Sequence, residues 1–448
     1  MISSDTIVAC ATPYGFGGIA VVRISGENAV CLAEKVCNNN SPLKNRKAAL
    51  CSLYTKDGDV FDDAIITAFL SPNSYTGENV AEISCHGNPA IVYKLINILI
   101  EYGARMAEPG EFTRRAFING KLDLVQVEAV SALIHSNSEK SVFLNRRILS
   151  GSLSKRLNEI KTDIMEALSF VEFELDISEE ELVNEPIKKT INIARVALKR
   201  LNKLSDSFNE GRLINRGANI VIIGNPNVGK STLLNALLEE NRAIVSEEPG
   251  TTRDVLDAHL IYDGIGVTIT DTAGIRETDN HIEKEGVSRA INKAREADLV
   301  IHVIDAADRK YFDFPVDNTK IIKVFNKADL LTVADKKRLF EHNNTSIILS
   351  AFTGEGIVSL KKAIKDALHT SSLFSEETYL ITHRQHNITQ TSIKSIDRAI
   401  DNLNKPFPPL ELVSIDLREA LTAIDQMLGK TTSADILNNI FGQFCVGK

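Results

Sequence analysis

The 448-residue sequence predicts an α/β multidomain protein in which a mixed-sheet, Ras-like P-loop domain is inserted into an all-α domain and follows an α+β domain. Near residue 224 a strand pattern, a glycine-rich loop and a helix pattern follow one another. Apolar residues at helical spacing occupy both flanks of that region, from about 122 to 213 and from about 383 to 441. The first 118 residues instead alternate between strand and helix patterns.

The predicted domain boundaries follow these changes of pattern. We expect an N-terminal α+β domain at 1–118, a first helical part at 119–214, the inserted domain at 215–377, and a second helical part at 378–448 whose tail carries Cys445. In the first domain the predicted elements are three strands and a helix, namely Gly18–Ile24, Asp63–Leu70, Val80–Cys85 and Pro89–Tyr102.

Composition excludes several classes of protein. The net charge of −8 argues against a protein that coats nucleic acids in general. No apolar run is long enough to span a bilayer, and the first residues lack the pattern of a signal peptide. Six cysteines without a CxxC pair indicate neither a disulfide framework nor a zinc site. We therefore expect a cytoplasmic location.

The segment GNPNVGKST at 224–232 has the spacing of a P-loop. It follows the strand-like run Asn219–Ile223 and precedes the helical pattern Ser231–Leu238. Backbone N–H groups of such a loop wrap phosphates, and the helix N-terminus favours anions. We expect Lys230 to reach the terminal phosphates and the Ser231 hydroxyl to ligate Mg²⁺.

Three further motifs follow in order: GTTRD at 250–254, DTAG at 271–274 and NKAD at 326–329. Asp271 ends a strand-like run and can hold the Mg²⁺ through water. Asp329 can accept both guanine N–H groups, an interaction that adenine cannot supply. The ordered series therefore predicts a P-loop GTPase that binds and hydrolyses GTP. The predicted GTP contacts are Asn227, Val228, Gly229, Lys230, Ser231, Thr232, Thr251, Thr252, Asp271, Thr272, Ala273, Gly274, Asn326, Lys327, Asp329, Ser350 and Ala351.

The residue that positions the attacking water is left open by these motifs. Many GTPases place a glutamine after the DxxG motif, but Ile275 stands there and cannot orient water. A carboxylate in the first turn of the helix that follows can replace it, or can simply offset the helix dipole. The candidates are Glu277, Asp279, Glu283 and Glu285.

The first domain and the last residues carry weaker signals. Arg114, Arg115 and Lys121 cluster beside turn residues and suit an anionic ligand, although ordinary turns explain the same pattern. Cys445 is not part of a prenylation motif, because Gly447 and Lys448 follow it. It is either a reactive thiol on a mobile tail or an incidental cysteine.

Taken together, the motifs resemble the tRNA modification GTPase family called MnmE or TrmE along essentially the whole chain. The matching stretches are ATPYGFGGIAVVRISG, SYTGENV, EISCHGN, PGEFTRRAFINGKLDLVQVEAV, the GTP motifs and FCVGK. The resemblance implies a homodimer formed through an N-terminal domain that binds a 5-formyl-tetrahydrofolate-type cofactor. It also implies an FAD-binding partner, MnmG, that joins the homodimer in a heterotetramer and modifies the 5-position of the wobble uridine of certain tRNAs.

The resemblance also assigns roles to residues. Asn227 coordinates a potassium ion that activates hydrolysis when two GTPase domains meet, and Glu283 orients the attacking water. Thr251 and Thr252 lie in the switch segment 251–254, which becomes ordered when GTP binds. Thr252 ligates Mg²⁺. Cys445 takes part in the modification chemistry. The folate contacts are Arg23, Glu82 and Lys121, in a domain where Phe16 and Asn88 replace the usual arginine and glycine.

Two other functions are compatible with the GTP motifs alone. One is a GTPase switch in ribosome or complex assembly without modification chemistry, which needs neither Cys445 nor a folate-like domain. The other is a GTPase that dimerises on lipid, which needs a basic amphipathic helix or a lipid anchor. The sequence shows neither of the two membrane features.

Overall fold

The computed structural model describes residues 5–37, 42–176, 184–239, 256–262, 264–271, 292–308, 320–342, 346–368 and 380–448. The chain forms two compact units, each built from separate stretches of sequence. The first unit comprises Met1–Ser131, Ile148–Leu198 and Ile388–Lys448. The second comprises Ala132–Arg147 and Lys199–Asn387.

The first unit begins with an α+β fold. Its elements are β1 (Thr6–Cys10), β2 (Gly17–Ser25), α1 (Ala29–Val36), β3 (Ala48–Tyr54), β4 (Val60–Phe69), β5 (Val80–Gly87), α2 (Pro89–Glu101), β6 (Ala104–Met106) and α3 (Glu111–Ile118). The strand order in the sheet is β3-β4-β5-β2-β1-β6. The β1–β6 pair is parallel, and the other neighbours are antiparallel.

Alternating burial along these strands builds the core of this sheet. Val22 and Ile24 of β2 and Ile83 of β5 are buried in one cluster with apolar residues of α1 and α2. Asn88 caps α2, because its side-chain oxygen accepts a hydrogen bond from the N–H of Ala90, and Pro89 occupies the first turn. The asparagine that departs from the family pattern is therefore a helix cap.

Helices follow in both units. They are α4 (Leu124–Ile134), α5 (Glu139–Leu149), α6 (Ser152–Asp176), α7 (Asn184–Asp206) and α8 (Phe208–Arg216). Apolar residues at three- and four-residue spacing are buried along α6, among them Leu157, Ile160 and Ile164. No helix among the described residues is both long and apolar enough to cross a membrane.

The second unit contains a mixed sheet. Its elements are β7 (Ala218–Ile223), α9 (Lys230–Glu239), β8 (Leu256–Tyr262), β9 (Ile265–Asp271), β10 (Leu299–Asp305), β11 (Ile321–Asn326), a 3₁₀ turn (Ala328–Leu330), α10 (Val333–His342), β12 (Ile347–Ile348) and α11 (Ile357–Ala367). The strand order is β12-β11-β10-β7-β9-β8. Only β8 runs antiparallel to its neighbour among the described strands. The central strands β7 and β10 are almost wholly buried, as expected for parallel strands.

The chain ends in three described helices: α12 (His383–Leu403), α13 (Leu410–Leu428) and α14 (Ala434–Phe441). The Lys161 ammonium of α6 donates to Asp425 of α13 at 2.5 Å, so the helices on either side of the sheet domain in sequence pack together in the first unit. The predicted fold class is confirmed: a P-loop domain interrupts a helical domain and follows an α+β domain. The numerical boundaries 118, 214 and 377 stay predictions.

Candidate functional site

The loop 224–229 lies at the carboxyl end of β7. At this strand the chain switches from adding strands on one side of the sheet to adding them on the other. After β7 the chain adds β8 and β9 on one side, and then β10, β11 and β12 on the other. Ligands of such sheets bind at the carboxyl ends of the strands at this switch point. The loop then enters α9 at Lys230, so the helix N-terminus faces the same region.

Two residues of the loop have left-handed backbone conformations. Asn227 has a φ of 63° and Gly229 a φ of 92°, both in the left-handed region. Asparagine and glycine are the residues that adopt this region most easily. At Gly229 a Cβ atom would also collide with the side-chain amide of Asn326. The glycine is therefore required by both backbone conformation and space.

Lys230 is held inside the loop. Its side chain donates hydrogen bonds to the carbonyl oxygens of Gly224, at 2.8 Å, and Asn225, at 2.9 Å. The residue is 7% exposed, so its charge is directed into the loop rather than into solvent. Ser231, the predicted Mg²⁺ ligand, is the next residue of α9 and is exposed. A cation and a hydroxyl are thus adjacent in sequence at the N-terminus of α9, where phosphate is predicted to bind.

Asn326 joins the P-loop to the loop that follows β12. The residue ends β11 and is 2% exposed. Its side-chain N–H donates to the carbonyl oxygen of Val228 at 2.9 Å, and its side-chain oxygen accepts from the N–H of Ala351 at 2.9 Å. One buried amide therefore satisfies two backbone groups from separate loops and fixes the distance between them.

The residues that were predicted to read the base lie beside this amide. The Ser350 hydroxyl donates to a carboxylate oxygen of Asp329 at 2.5 Å, which orients the exposed carboxylate. Lys327, with a φ of 66°, donates to Asp305 at 2.7 Å. Burial would raise the pKa of Asp305, but the hydrogen bonds from Lys327 and the Ala307 N–H outweigh burial, so its pKa lies below its usual value. Asp305 was not among the predicted residues, because β10 carries no motif.

Several predicted residues lie outside the described part of the chain. These are Thr251, Thr252, Thr272, Ala273, Gly274, Ile275 and the candidate water-positioning acids, including Glu283. Asp271 is the last residue of β9, at the same end of the sheet as the P-loop, and its side chain is not described. The structure thus brings together the P-loop, Asn326 to Asp329, and Ser350 with Ala351.

A second group of predicted residues meets in the first unit. Arg23 on β2 and Glu82 on β5 are register partners, and the guanidinium contacts the carboxylate at 2.9 and 2.8 Å. The same guanidinium lies 5.4 Å from the ring centre of Tyr75. Lys121 and Tyr75 both line a cavity of about 450 Å³. Tyr75 therefore contacts Arg23 of the Arg23–Glu82 pair and lines the same cavity as Lys121, the third predicted folate contact.

Arg115, by contrast, is structural. Its guanidinium is buried and forms ion pairs with Asp5, Glu78 and Glu111 at 2.8 to 3.1 Å. All its charge is balanced by these carboxylates, so the anion-binding role suggested by its cluster with Arg114 and Lys121 does not apply to it.

The last residues of the chain pack on the first domain near Arg23. Phe441 and Phe444 are buried with Leu124 and Val127. The Gly447 carbonyl accepts a hydrogen bond from Arg23 at 3.4 Å.

Cys445 is exposed on this docked tail. Burial lowers the pKa of the neighbouring Lys448 ammonium, which also interacts electrostatically with Arg23, Glu82 and Cys445. Lys448 was not predicted as a site residue, because only the tertiary contact brings it there.

The sheet, the P-loop and the NKAD motif at the end of β11 define the class of a P-loop GTPase. Residues 124–445 match the family model described as the MnmE helical domain, and residues 6–121 match the GTP-binding protein TrmE N-terminus. The chain therefore belongs to the MnmE family.

Two relatives named MnmE and one solved structure illustrate what the chain is similar to. The tRNA modification GTPase MnmE of Fervidobacterium nodosum is 38% identical over 462 residues, which cover 100% of this chain and 98% of the relative. The protein of the same name from Thermotoga maritima is 39% identical over 458 residues, 99% of this chain and 100% of the relative. The solved G domain of FeoB from Methanococcus jannaschii is 29% identical over 34% of this chain and 98% of its own, with a TM-score of 0.26.

Proposed function

We propose that this chain is a GTP hydrolase that acts in tRNA modification, as its relatives are named, and that with an FAD-dependent partner of the MnmG type it modifies the 5-position of the wobble uridine. The product carries an aminomethyl or carboxymethylaminomethyl group. The observation that carries this proposal is the docked tail: its Gly447 contacts Arg23, and its Lys448 interacts with both Cys445 and the Arg23–Glu82 pair. A simple GTPase switch has no use for a thiol held at that place.

The nucleotide site supports hydrolysis of GTP with Mg²⁺. Lys230 would contact the terminal phosphates. Ser231, Thr252 and, through water, Asp271 would hold the Mg²⁺, which would offset the charge of the phosphates. The buried amide of Asn326 holds Ala351, and the Ser350 hydroxyl orients the Asp329 carboxylate. The Asp329 carboxylate selects guanine by accepting its two N–H groups.

Glu283 is proposed to orient the attacking water in place of the missing glutamine. The replacement Glu283→Ala should slow GTP hydrolysis by about 10²-fold or more while GTP affinity stays nearly unchanged, because only the transition state uses this carboxylate. Single-turnover kinetics together with equilibrium nucleotide binding separate the two effects. Hydrolysis at the parental rate would contradict this role of Glu283 and leave Glu277, Asp279 and Glu285 as the candidates.

The first domain is proposed to bind a 5-formyl-tetrahydrofolate-type donor through Arg23, Glu82 and Lys121. The residues fit such a ligand, because the cavity of about 450 Å³ has the size of a small-molecule site and combines aromatic rings with cations. The bound folate supplies a one-carbon unit. The Arg23–Glu82 pair offers both donors and acceptors, which a heterocycle with N–H and carbonyl groups requires.

The role of the tail is tested by Cys445→Ser. This variant should hydrolyse GTP at the parental rate, yet the modified wobble uridine should fall to background, because serine lacks the nucleophilic thiolate. The measurement is mass spectrometry of tRNA nucleosides from a deletion strain that expresses the variant. Normal modification by the serine variant would show that the thiol is incidental.

A further inference from the structure

The cavity beside the folate contacts carries a cation with no assigned role. Its lining consists of seven residues, Arg46, Thr67, Phe69, Asn73, Ser74, Tyr75 and Lys121, and we call it the Arg46 cavity. Two positive charges thus face one space in a domain whose ligand is proposed to be anionic. Both are exposed at its surface.

Both cations are fixed by the same short turn. Arg46 donates to the carbonyl oxygen of Asn73 at 2.9 Å, and Lys121 donates to the carbonyl oxygen of Pro72 at 3.0 Å. Among the described residues, neither of them forms an ion pair with a carboxylate. Each side chain is therefore positioned by one hydrogen bond and keeps further N–H donors for a ligand.

The backbone at Arg46 adds to this picture. Its φ of 57° lies in the left-handed region, which glycine and asparagine adopt more easily than arginine. The Arg46 N–H donates to the carbonyl oxygen of Ala68 at 2.8 Å, so β4 holds the residue in this conformation. The side chain is thus directed to the cavity by a fixed backbone.

Tyr75 connects the cavity to the Arg23–Glu82 pair. Its ring lines the cavity and also contacts the Arg23 guanidinium, while its hydroxyl is 2.8 Å from the Thr113 hydroxyl. Burial raises the pKa of Tyr75, so the phenol stays neutral and remains a hydrogen-bonding group at neutral pH. The Arg23–Glu82 pair, the Tyr75 ring and the two cations thus follow one another in space. A ligand with an aromatic body and an anionic end matches this arrangement.

We infer that Arg46, together with Lys121, binds the glutamate carboxylates of the folate-type donor. This inference rests on the proposed folate binding and adds the residue that recognises the anionic end of that ligand. A guanidinium suits this task because its planar set of donors matches a carboxylate in two-point contact. The charges of Arg23 and Glu82 neutralise each other, so this pair is available for the uncharged heterocyclic end of the ligand.

The experiment measures dissociation constants by isothermal titration calorimetry with the full-length chain. The probes are 5-formyl-tetrahydrofolate and its diamide, in which both glutamate carboxylates are neutral. The variant is Arg46→Asn, because asparagine tolerates the positive φ that alanine would strain. The matched control is Lys47→Asn, which removes an exposed positive charge one residue away that does not line the cavity.

Arg46→Asn should weaken binding of the diacid about 10- to 100-fold and leave binding of the diamide unchanged, because only the diacid uses the charge-assisted hydrogen bonds. Lys47→Asn should change neither constant by more than about twofold. Arg46→Lys should recover part of the loss. Thermal unfolding of each variant shows whether the fold is intact.

The outcomes separate the two proposals. If the parental chain does not bind the diacid, the proposed folate donor is wrong, and the role of Arg46 is wrong with it. If the parental chain binds the diacid and Arg46→Asn binds it equally well, folate binding stands and the inference is overturned. Equal losses for diacid and diamide also overturn it, since the role of Arg46 would then be structural.

Discussion

At the scale of single residues, Asn326 and Asp329 show how one short motif does two different tasks. Asp329, which is predicted to read the base, is exposed, and the Ser350 hydroxyl fixes its orientation. Asn326 is buried and hydrogen-bonds to the Val228 carbonyl and the Ala351 N–H. Its removal would leave two buried backbone groups without partners, at a cost of about 1–3 kcal/mol each. The motif therefore combines a residue that we expect to read guanine with one that holds two loops together.

The replacement Asp329→Asn should change base preference while the fold persists. It removes two charge-assisted hydrogen bonds to guanine, worth about 1.5–3 kcal/mol each, so GTP affinity should fall by about 10²- to 10⁴-fold. Xanthine nucleotides should gain affinity, because the asparagine amide can donate to the additional carbonyl of xanthine. Competition binding with GTP and XTP measures both effects. Unchanged affinity for guanine would contradict the assignment of Asp329.

The predictability of individual residues depends on how far apart in sequence their partners lie. The role of Asp329 follows from four consecutive residues. The bridging role of Asn326 does not, because its partners Val228 and Ala351 lie 98 and 25 residues away. Lys448 was missed for the same reason: its neighbour Gly447 meets Arg23 across 424 residues. Spacing predicts chemistry within a motif, whereas contacts between distant segments require the fold.

At the scale of elements, strands that carry a motif at their carboxyl end were predicted well. The run Asn219–Ile223 corresponds to β7 within one residue at each end, and Asp271, which was predicted to end a strand, is the last residue of β9. The strand β10 was not predicted, although its run Leu299–Asp305 is almost wholly apolar. A short apolar run is compatible with a buried strand and with a buried helix. Without a motif at its end, the sequence does not distinguish the two for this segment.

The tail after α14 is an element whose docking depends on a glycine. Gly447 has a φ of 98°, and a Cβ atom there would overlap the carbonyl oxygen of Cys10 on β1. The glycine of the CVGK segment is therefore a condition for the close approach of the tail to the sheet. This explains the residue type at a position that the sequence alone left without a reason.

The replacement Gly447→Ala should therefore displace the tail. An alanine at positive φ with no space for its Cβ costs at least about 1 kcal/mol, which lowers the ratio of docked to undocked tail about fivefold or more. Wobble-uridine modification should fall accordingly, while GTP hydrolysis stays at the parental rate. The matched control Val446→Ala truncates an exposed side chain of the same tail and should have little effect. Nucleoside mass spectrometry and a GTPase assay give the two readouts, and equal modification by both variants would contradict the docking role.

At the scale of the whole molecule, the order of segments was predictable and the residue-level boundaries were not tested. Helical periodicity on both sides of the GTP motifs predicted one helical domain built from both flanks. The structure agrees, since 148–198 and 388–448 belong to one compact unit. Periodicity identifies helices, but it says nothing about which helices pack together. The Lys161–Asp425 ion pair, across 264 residues, is an example of what only the fold provides.

The resemblance to the MnmE family implies activation by potassium when two GTPase domains meet, and Asn227 allows this expectation to be tested without disturbing the P-loop. The residue is exposed at a φ of 63°, so Asn227→Gly removes the side-chain oxygen that is expected to coordinate potassium and keeps the backbone conformation, whereas Asn227→Ala also adds strain. The parental chain should hydrolyse GTP at least about tenfold faster in potassium than in sodium, because the bound cation offsets charge in the transition state. Rubidium, which is close to potassium in size, should substitute for it, and caesium should not. In Asn227→Gly the rates in all four salts should coincide while GTP affinity is retained. A glycine variant that still prefers potassium would place the ion elsewhere in the site.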